Sequence, residues 1–288
     1  MKILITGHSG QVARELRLAL ADQAELLVLG RDRLDLADSD AIRRLVRAER
    51  PALIINAAAH TAVDQAESEP QAAFALNATA PGVLAEEAAA LGAPLIHYST
   101  DYVFDGSKNA PYSEDDPPNP LGVYGRSKLA GEAAIRAVGA AHLILRTSWV
   151  YSLHGRNFLL TMQRLLQERD HLRVVADQIG APTWAGSIAT ATAALIQRWQ
   201  DGRQAWGTYH FSAGGETSWF GFASAIADTL KAEGKPCARL EPIPSSAYPT
   251  PAQRPLNSRM DGGKLLRDWD VALPDWRLGL DECLRHPR

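Results

Sequence analysis

The feature that most constrains the fold is a strand that leads into a glycine-containing turn and then a helix at the start of the chain. Lys2–Thr6 reads KILIT, Gly7 to Gly10 form the turn, and Gln11–Leu20 has helical periodicity. Gly7 permits a tight exit from the strand, and Gly10 lets a phosphate approach the backbone. The helix N-terminus offers free N–H groups to the same anion. This pattern predicts a dinucleotide site, although an ordinary βα loop has the same outline.

The first half of the chain alternates short apolar runs with helical stretches, which is typical of a parallel sheet with crossover helices. The predicted strands are Lys2–Thr6, Glu25–Leu29, Leu53–Asn56, Pro94–Ser99 and Leu143–Arg146. The predicted helices are Gln11–Leu20, Ser39–Arg50, Gln71–Leu91 and Ser127–Val138. We therefore expect a doubly wound, Rossmann-type α/β fold.

The second half is less regular and predicts a smaller C-terminal substrate-binding domain. Helices are expected at Phe158–Glu168, Trp184–Trp199 and Trp219–Lys231, with a strand at Gly207–Phe211. We place the domains at 1–149 and 150–288, with part of 170–212 returning to the first domain.

The composition excludes several classes of protein. The 288 residues include 30 Lys+Arg and 33 Asp+Glu, giving a net charge of −3, and 46% are hydrophobic. These values indicate a folded core and no basic surface for nucleic acid or an anionic membrane. Cys237 and Cys283 are too few for a disulfide framework. The short N-terminal apolar run and the Gly- and Pro-broken segment 178–197 predict neither a signal peptide nor a spanning helix, so we expect a cytoplasmic protein.

No metal site is predicted. The eight histidines have no metal-ligand spacing. Magnesium at the acidic group Glu114–Asp116 or at Glu15 is an open alternative that no spacing supports.

Tyr124 and Lys128 are four residues apart, so a helix would present both on one face. A cation near a phenol favours the phenolate and lowers the phenol's pKa from about 10, which suits a general acid/base pair. Thr100 follows a predicted strand at the sheet edge where α/β proteins bind ligands, so its hydroxyl is placed to bond a substrate carbonyl. A chance surface spacing and a turn-capping hydroxyl are the alternatives.

The residues after the second strand bear on the choice between NADPH and NADH. An arginine there suits the 2′-phosphate of NADPH, whereas an acidic residue suits the 2′-hydroxyl of NADH. Arg31 occupies about this position and favours NADPH, with a solvated turn arginine as the alternative. Asp35 and Leu36 are predicted to flank the adenine.

Several segments, in order along almost the whole chain, resemble the extended short-chain dehydrogenase/reductase family, in particular its nucleotide-sugar reductases. They are TGHSGQV (6–12), NAAAHTAVD (56–64), STDYVF (99–104), YGRSKLAGE (124–132), RTSWVY (146–151), GAPT (180–183) and RPLNSR (254–259). The chain departs from relatives at Ala13, where many have Gly, and at Gly30-Arg31, where some have an acidic residue. The second departure concerns cofactor preference.

The resemblance implies a role for each matching residue. The implied cofactor contacts are Gly10, Gln11, Val12, Ala59, His60, Thr61, Tyr98, Tyr124 and Lys128, to which the turn and the residues after the second strand, as described above, add Gly7, Arg31, Asp35 and Leu36. The implied substrate contacts are Thr100, Asp101, Trp149, Arg254 and Asn257. Thr100, Tyr124 and Lys128 are the implied catalytic residues, with Tyr124 as proton donor and Lys128 bonded to the nicotinamide ribose.

The implied reaction is NAD(P)H-dependent reduction of the C4 keto group of dTDP-4-dehydro-L-rhamnose, with a homodimer as the expected assembly. Another 4-keto-6-deoxysugar nucleotide is an alternative substrate. A second alternative is a non-catalytic NADP-binding regulator resembling the β subunit of methionine adenosyltransferase. No nucleic acid or membrane partner is expected.

Overall fold

The computed structural model describes residues 1–285, and His286 with the two residues after it lies outside that range. The strands are β1 (Lys2–Thr6), β2 (Glu25–Leu29), β3 (Leu53–Asn56), β4 (Leu95–Thr100), β5 (His142–Thr147), β6 (Val150–Tyr151), β7 (His171–Val175), β8 (Ile179–Gly180), β9 (Thr183–Trp184), β10 (Gly207–His210), β11 (Thr217–Ser218) and β12 (Arg239–Ile243). The α-helices are α1 (Gln11–Leu20), α2 (Ser39–Glu49), α3 (Val63–Ser68), α4 (Pro70–Phe74), α5 (Ala80–Leu91), α6 (Val123–Val138), α7 (Phe158–Glu168), α8 (Ala185–Gln200), α9 (Trp219–Ala232), α10 (Gly263–Trp269) and α11 (Trp276–Arg285).

The central sheet has six parallel strands in the order β10-β5-β4-β3-β1-β2. Apolar side chains of the inner strands point to both faces, so helices cover both. On one face Ile5 packs with Leu16 of α1 and Ile188 of α8. On the other face Leu4 packs with Leu84 of α5 and with residues of α2 and α6. The predicted doubly wound α/β fold is therefore confirmed.

Residues from the second half of the chain complete the sheet. β10 pairs with β5 at the sheet edge, and α8 covers the same face as α1. A separate apolar cluster joins α7, α9 and α11 through side chains such as Leu159, Phe222 and Leu280. The domain boundary at residue 149 stays a prediction.

Two of the predicted helices differ from those observed by more than one residue at an end. α6 begins at Val123, four residues before the predicted start at Ser127. The predicted helix Gln71–Leu91 is divided into α4 and α5 by a π-helical turn, Ala75–Thr79. Both differences lie beside the cleft described below. Across residues 1–285, the structure contains no helix long and apolar enough to cross a membrane.

Candidate active site

A cleft of about 1540 Å³ lies at the edge of the sheet where the parallel strands end. Ligands of open α/β sheets bind at this edge because the loops after the strands diverge there. All of the predicted site residues line the cleft except Arg254 and Asn257. The fold thus brings together segments that are far apart in the sequence.

The phosphate-binding turn has the backbone that the sequence predicts. Gly7 has a φ of +94°, and a Cβ there would lie 3.2 Å from the Ala57 backbone, so only glycine suits the position. Gly10 precedes α1 with no side-chain cap, which leaves the first N–H groups of the helix directed at the cleft. These groups fit the pyrophosphate of a dinucleotide.

The side chain of Gln11 holds a neighbouring loop in place. Its side-chain oxygen accepts hydrogen bonds from Ser152 Oγ at 3.0 Å and Asn157 Nδ2 at 2.8 Å. These bonds fasten the loop of residues 152–157 to the phosphate-binding turn, and Arg156 on that loop lines the cleft.

Arg31 lies in solvent at the opposite end of the cleft from the catalytic residues. Its side chain is 87% exposed, and its Nη2 is 3.7 Å from Asp35 Oδ2. Exposure leaves the guanidinium accessible to an incoming phosphate. Leu36 is buried beside Asp35 and supplies apolar surface there.

The loop after β3 is held by the π-helical turn. Asn77, in that turn, accepts from the His60 N–H at 2.8 Å and donates to the His60 carbonyl at 3.0 Å. Its amide also donates to Ser127 Oγ of α6 at 3.0 Å. Asn77 thus fixes the position of Ala59, His60 and the following loop against the helix that carries Tyr124.

Tyr124 and Lys128 are both buried on one face of α6. Burial raises the pKa of Tyr124 to about 12, against a hydrogen bond with Thr100 that lowers it. Lys128 Nζ donates to the Tyr98 carbonyl at 2.6 Å and lies 3.2 Å from His97 Nε2. Burial lowers the pKa of Lys128 to about 8, against the Glu132 carboxylate that raises it.

The structure differs here from the expectation that Lys128 lowers the pKa of Tyr124. The Tyr124 phenol is governed by its own burial, by Thr100 and by the nearby Asp101. The ammonium of Lys128 is instead bonded to β4. Tyr124 is consequently a protonated phenol at neutral pH.

Thr100 and Asp101 form a polar pair at the end of β4. Thr100 Oγ1 donates to Asp101 Oδ1 at 2.9 Å. Asp101 is buried, and burial raises the pKa of its carboxyl to about 6, against hydrogen bonds from Ser258 and Thr100. Tyr98, on the same strand, lines the cleft. Its hydroxyl lies 2.6 Å from Thr192 Oγ1.

Trp149 forms a flat aromatic wall of the cleft. Its ring stacks on Trp219 with centroids 3.6 Å apart and planes 10° apart. Its backbone φ is +48°, an unfavourable conformation for a bulky side chain. A Cβ at Gly180 would lie 2.8 Å from the indole, so glycine leaves room for this strained arrangement.

Arg254 and Asn257 build the rim beside the cleft. Arg254 makes two hydrogen bonds to the Asp64 carboxylate, at 2.9 and 3.1 Å. Asn257 Nδ2 donates to the carbonyls of Lys108 and Ala110. In this structure both side chains hold loops in place.

Comparison with known proteins agrees with this geometry. The sequence profile of the family described as RmlD substrate binding domain matches residues 1–288. The chain belongs to the RmlD family. A relative from Burkholderia thailandensis, a dTDP-4-dehydrorhamnose reductase, is 46% identical, covering 99% of this chain and 98% of its own.

Two solved structures of dTDP-4-dehydrorhamnose reductases match the fold of this RmlD-family chain. The enzyme from Clostridium acetobutylicum has a TM-score of 0.91 at 34% identity, covering 99% of both chains. The enzyme from Bacillus anthracis, in complex with NADP, has a TM-score of 0.91 at 33% identity, covering 99% of this chain and 98% of its own.

The sequence reasoning missed several residues that organise the site of this RmlD-family chain. Glu132 is a fully buried residue of α6, and its carboxylate accepts hydrogen bonds from Ser99 at 2.6 Å and from Arg146 at 2.9 and 2.7 Å. His97 contacts Lys128, as described above. A polar residue inside an apolar strand is the signal that marks Ser99 and His97, whereas the long-range partners of Glu132 leave no local signal.

Across the described part of this RmlD-family chain, residues 1–285, no group of three or more His, Cys, Asp or Glu side chains is arranged to hold a metal ion. In the acidic group considered for magnesium, Glu114 accepts from the His210 N–H and Asp116 pairs with Lys108.

Proposed function

We propose that the protein reduces the C4 keto group of dTDP-4-dehydro-L-rhamnose to give dTDP-L-rhamnose, using NADPH. The observation that carries this proposal is the convergence of Thr100, Tyr124 and Lys128 in the cleft that begins at the phosphate-binding turn. Full-length relatives named dTDP-4-dehydrorhamnose reductase support the choice of substrate.

The residues of the cleft fit a dinucleotide from end to end. Gly7, Gly10, Gln11 and Val12 would hold the pyrophosphate, and Arg31 would meet the 2′-phosphate. Ala59, His60, Thr61 and Tyr98 would line the remaining length of the cofactor, with Asp35 and Leu36 at its adenine. The NADP in the Bacillus anthracis relative supports NADPH. When bound, the nicotinamide supplies a hydride to the carbonyl carbon.

Tyr124 is the proton donor in this proposal. Because its pKa is about 12, its hydroxyl carries a proton at neutral pH and can deliver it to the C4 oxygen as the carbonyl becomes an alcohol. The Thr100 hydroxyl, which donates to Asp101 in this structure, would turn its single proton to the same oxygen when the substrate binds. The Lys128 ammonium would hold the cofactor ribose from the same cleft.

The proposed substrate contacts follow from where these residues lie around Tyr124. Asp101 would accept a hydrogen bond from a sugar hydroxyl, and the Trp149–Trp219 stack offers an apolar face for the sugar. Arg254 and Asn257 would approach the nucleotide part from the rim.

The test measures the loss of nicotinamide absorbance with freshly generated dTDP-4-dehydro-L-rhamnose and with NADPH and NADH in parallel. We expect turnover with NADPH to exceed turnover with NADH. Tyr124→Phe should lower turnover by about two to four powers of ten while keeping its affinity for cofactor. Tyr209→Phe is the matched control, because its hydroxyl bonds to Ala205 and Asp268 away from the cleft.

Normal turnover of a folded Tyr124→Phe protein would contradict the role of Tyr124. Cofactor binding by the wild-type protein without turnover would favour another 4-keto sugar, or the regulatory role, which a stoichiometric synthetase partner would reveal.

The predicted assembly and location complete the proposal. A homodimer would have twice the chain mass of 31.2 kDa by light scattering. Cell fractionation tests the predicted cytoplasmic location.

A further inference from the structure

A row of polar side chains crosses the apolar sheet at the base of the cleft. Thr6, Asn56 and His97 are register partners on β1, β3 and β4, and each is at most 1% exposed. Thr6 Oγ1 is 2.7 Å from the Asn56 carboxamide, which is 3.0 Å from His97 Nδ1. We call these three residues the polar row. Polar groups in such a sheet lower stability unless each one finds a hydrogen-bond partner.

The polar row ends on Lys128. His97 Nε2 is 3.2 Å from Lys128 Nζ, and the Tyr98 carbonyl accepts from the same ammonium at 2.6 Å. Two of the three ammonium N–H bonds are thus directed at β4, and the third can serve the cleft that Lys128 lines. His97 itself lies behind Lys128 and is not among the described residues that line the cleft.

We propose that His97 is a positioning residue for the reduction: its neutral ring accepts a hydrogen bond from Lys128 at Nε2 and so holds the ammonium in the cleft that Tyr124 also lines. This inference rests on the proposed function. Because His97 does not line the cleft, it contacts neither the cofactor nor the sugar. Any effect of a His97 substitution on turnover must therefore act through Lys128.

Counting protons fixes the tautomer of His97. An ammonium can only donate, so Nε2 must accept and the single ring proton must lie on Nδ1, facing Asn56. Asn56 then presents its oxygen to His97 and its NH2 group to Thr6 Oγ1. The oxygen and nitrogen of a carboxamide are interchangeable in shape, so this orientation, with the two groups exchanged, occupies the same positions.

The surroundings agree with a neutral ring. Burial and the positive charge of Lys128 lower the pKa of His97 well below 6.5. Thr6 Oγ1 also accepts from the Ala58 N–H at 3.3 Å, which ties the polar row to the loop after β3. The polar row therefore ends at the His97 ring on one side and at the Ala58 backbone N–H on the other.

Substitutions of His97 test the proposal in the full-length protein. His97→Leu removes the acceptor at similar size, and His97→Gln restores a polar acceptor in reach of Lys128. We expect His97→Leu to lower kcat by about 10- to 100-fold through misplacement of Lys128, with the KM for the sugar unchanged. His97→Gln should recover most of that loss. The matched control is His210→Leu, a histidine that is also 1% exposed and packs against Phe104.

A wild-type kcat in His97→Leu, or an equal loss in His97→Gln and His97→Leu, would overturn the proposal. So would an equal loss in His210→Leu, because it would show that any buried histidine is needed for the fold.

Nitrogen-15 NMR of the wild-type protein tests the hydrogen bond without a substrate. The His97 signal, assigned by its absence in His97→Gln, should show the neutral Nδ1–H tautomer at neutral pH. An imidazolium or an Nε2–H tautomer would overturn the proposal whatever the activity. The Nδ1–H tautomer in a protein that does not reduce the sugar would support the His97–Lys128 bond and overturn only the proposed function.

Discussion

The carboxylate of Glu67 accepts a hydrogen bond at 2.7 Å from the backbone N–H of Val123, which lies 56 residues further along the chain. Val123 is the first residue of α6, and Gly122 before it has no side chain to cap the helix. Glu67 therefore caps the helix that carries Tyr124, with its negative charge at the positive end of the helix dipole.

Loss of this cap should affect both stability and turnover. We expect Glu67→Ala to lower the free energy of unfolding by about 1 kcal/mol. Turnover should fall as well, because Tyr124 follows Val123 directly. Glu67→Gln keeps an acceptor and should lose less of both. Urea denaturation and the reductase assay measure these effects, with the exposed Glu168→Ala as control, and an unchanged Glu67→Ala protein would refute the cap.

Turnover should decline as the pH rises above about 8, where Lys128 loses its proton. Tyr124, with a pKa of about 12, still keeps its proton in that range. The dependence of kcat on pH measures this decline. The residual turnover of Lys128→Arg should lack it, because a guanidinium stays charged. The same decline in Lys128→Arg would assign it to another group.

Asp101 should make stability depend on pH in the direction opposite to an ordinary carboxylate. Its pKa is about 6 in the folded protein against an ordinary 3.8, so the folded state binds more protons between these values. Stability contributed by the neutral carboxyl is present below pH 3.8 and is lost as the pH rises through 6.

The Asp101→Asn substitution removes this loss of stability at rising pH. At neutral pH the variant should be more stable than wild type, by on the order of 3 kcal/mol, although less active. Denaturation curves across the acid range check both proteins, and the gap in unfolding free energy should open as the pH rises. The exposed Asp228→Asn should show no such gap. A constant difference between Asp101→Asn and wild type would contradict the shifted pKa.

The ion pair between Asp64 and Arg254 should hold the rim for substrate binding. Asp64→Asn and Arg254→Gln should each raise the KM for the nucleotide sugar while leaving kcat nearly unchanged. If Asp64 acts only through Arg254, the double variant should bind no worse than Arg254→Gln alone. The coupling in unfolding free energy should be at most about 1 kcal/mol, because both side chains are partly exposed. Additive losses in KM would show that the two residues act separately.

Local signals explain which parts of the fold the sequence predicts. The bounds of β1, β2, β3, α1 and α7 agree with prediction, because apolar runs and glycine turns mark their ends. The sequence predicts the start of α6 four residues too late because its cap, Glu67, comes from another helix. No local signal predicts the π-helical turn, because Asn77 bonds to His60 and Ser127, which are distant in sequence.

In the candidate site, too, local sequence signals predict some features and not those that depend on distant residues. Helical spacing and the edge of a parallel sheet suffice to bring Tyr124, Lys128 and Thr100 into one cleft. The direction of the Tyr124 pKa shift does not follow from the sequence, because burial raises this pKa, the nearby Asp101 raises it further, and burial depends on the whole fold. The resemblance implies a nucleotide contact for Arg254, and only the structure reveals that Asp64 already binds it.

The position of β10 at the edge of the sheet has a consequence for synthesis of the protein. β5 pairs with β4 on one side, but its other side remains unpaired until residues 207–210 have left the ribosome. An unpaired edge strand is a template for pairing with other chains. A nascent chain that pauses within α8, or a truncated product that ends there, therefore exposes the unpaired edge of β5. We expect such fragments to aggregate where the complete chain does not.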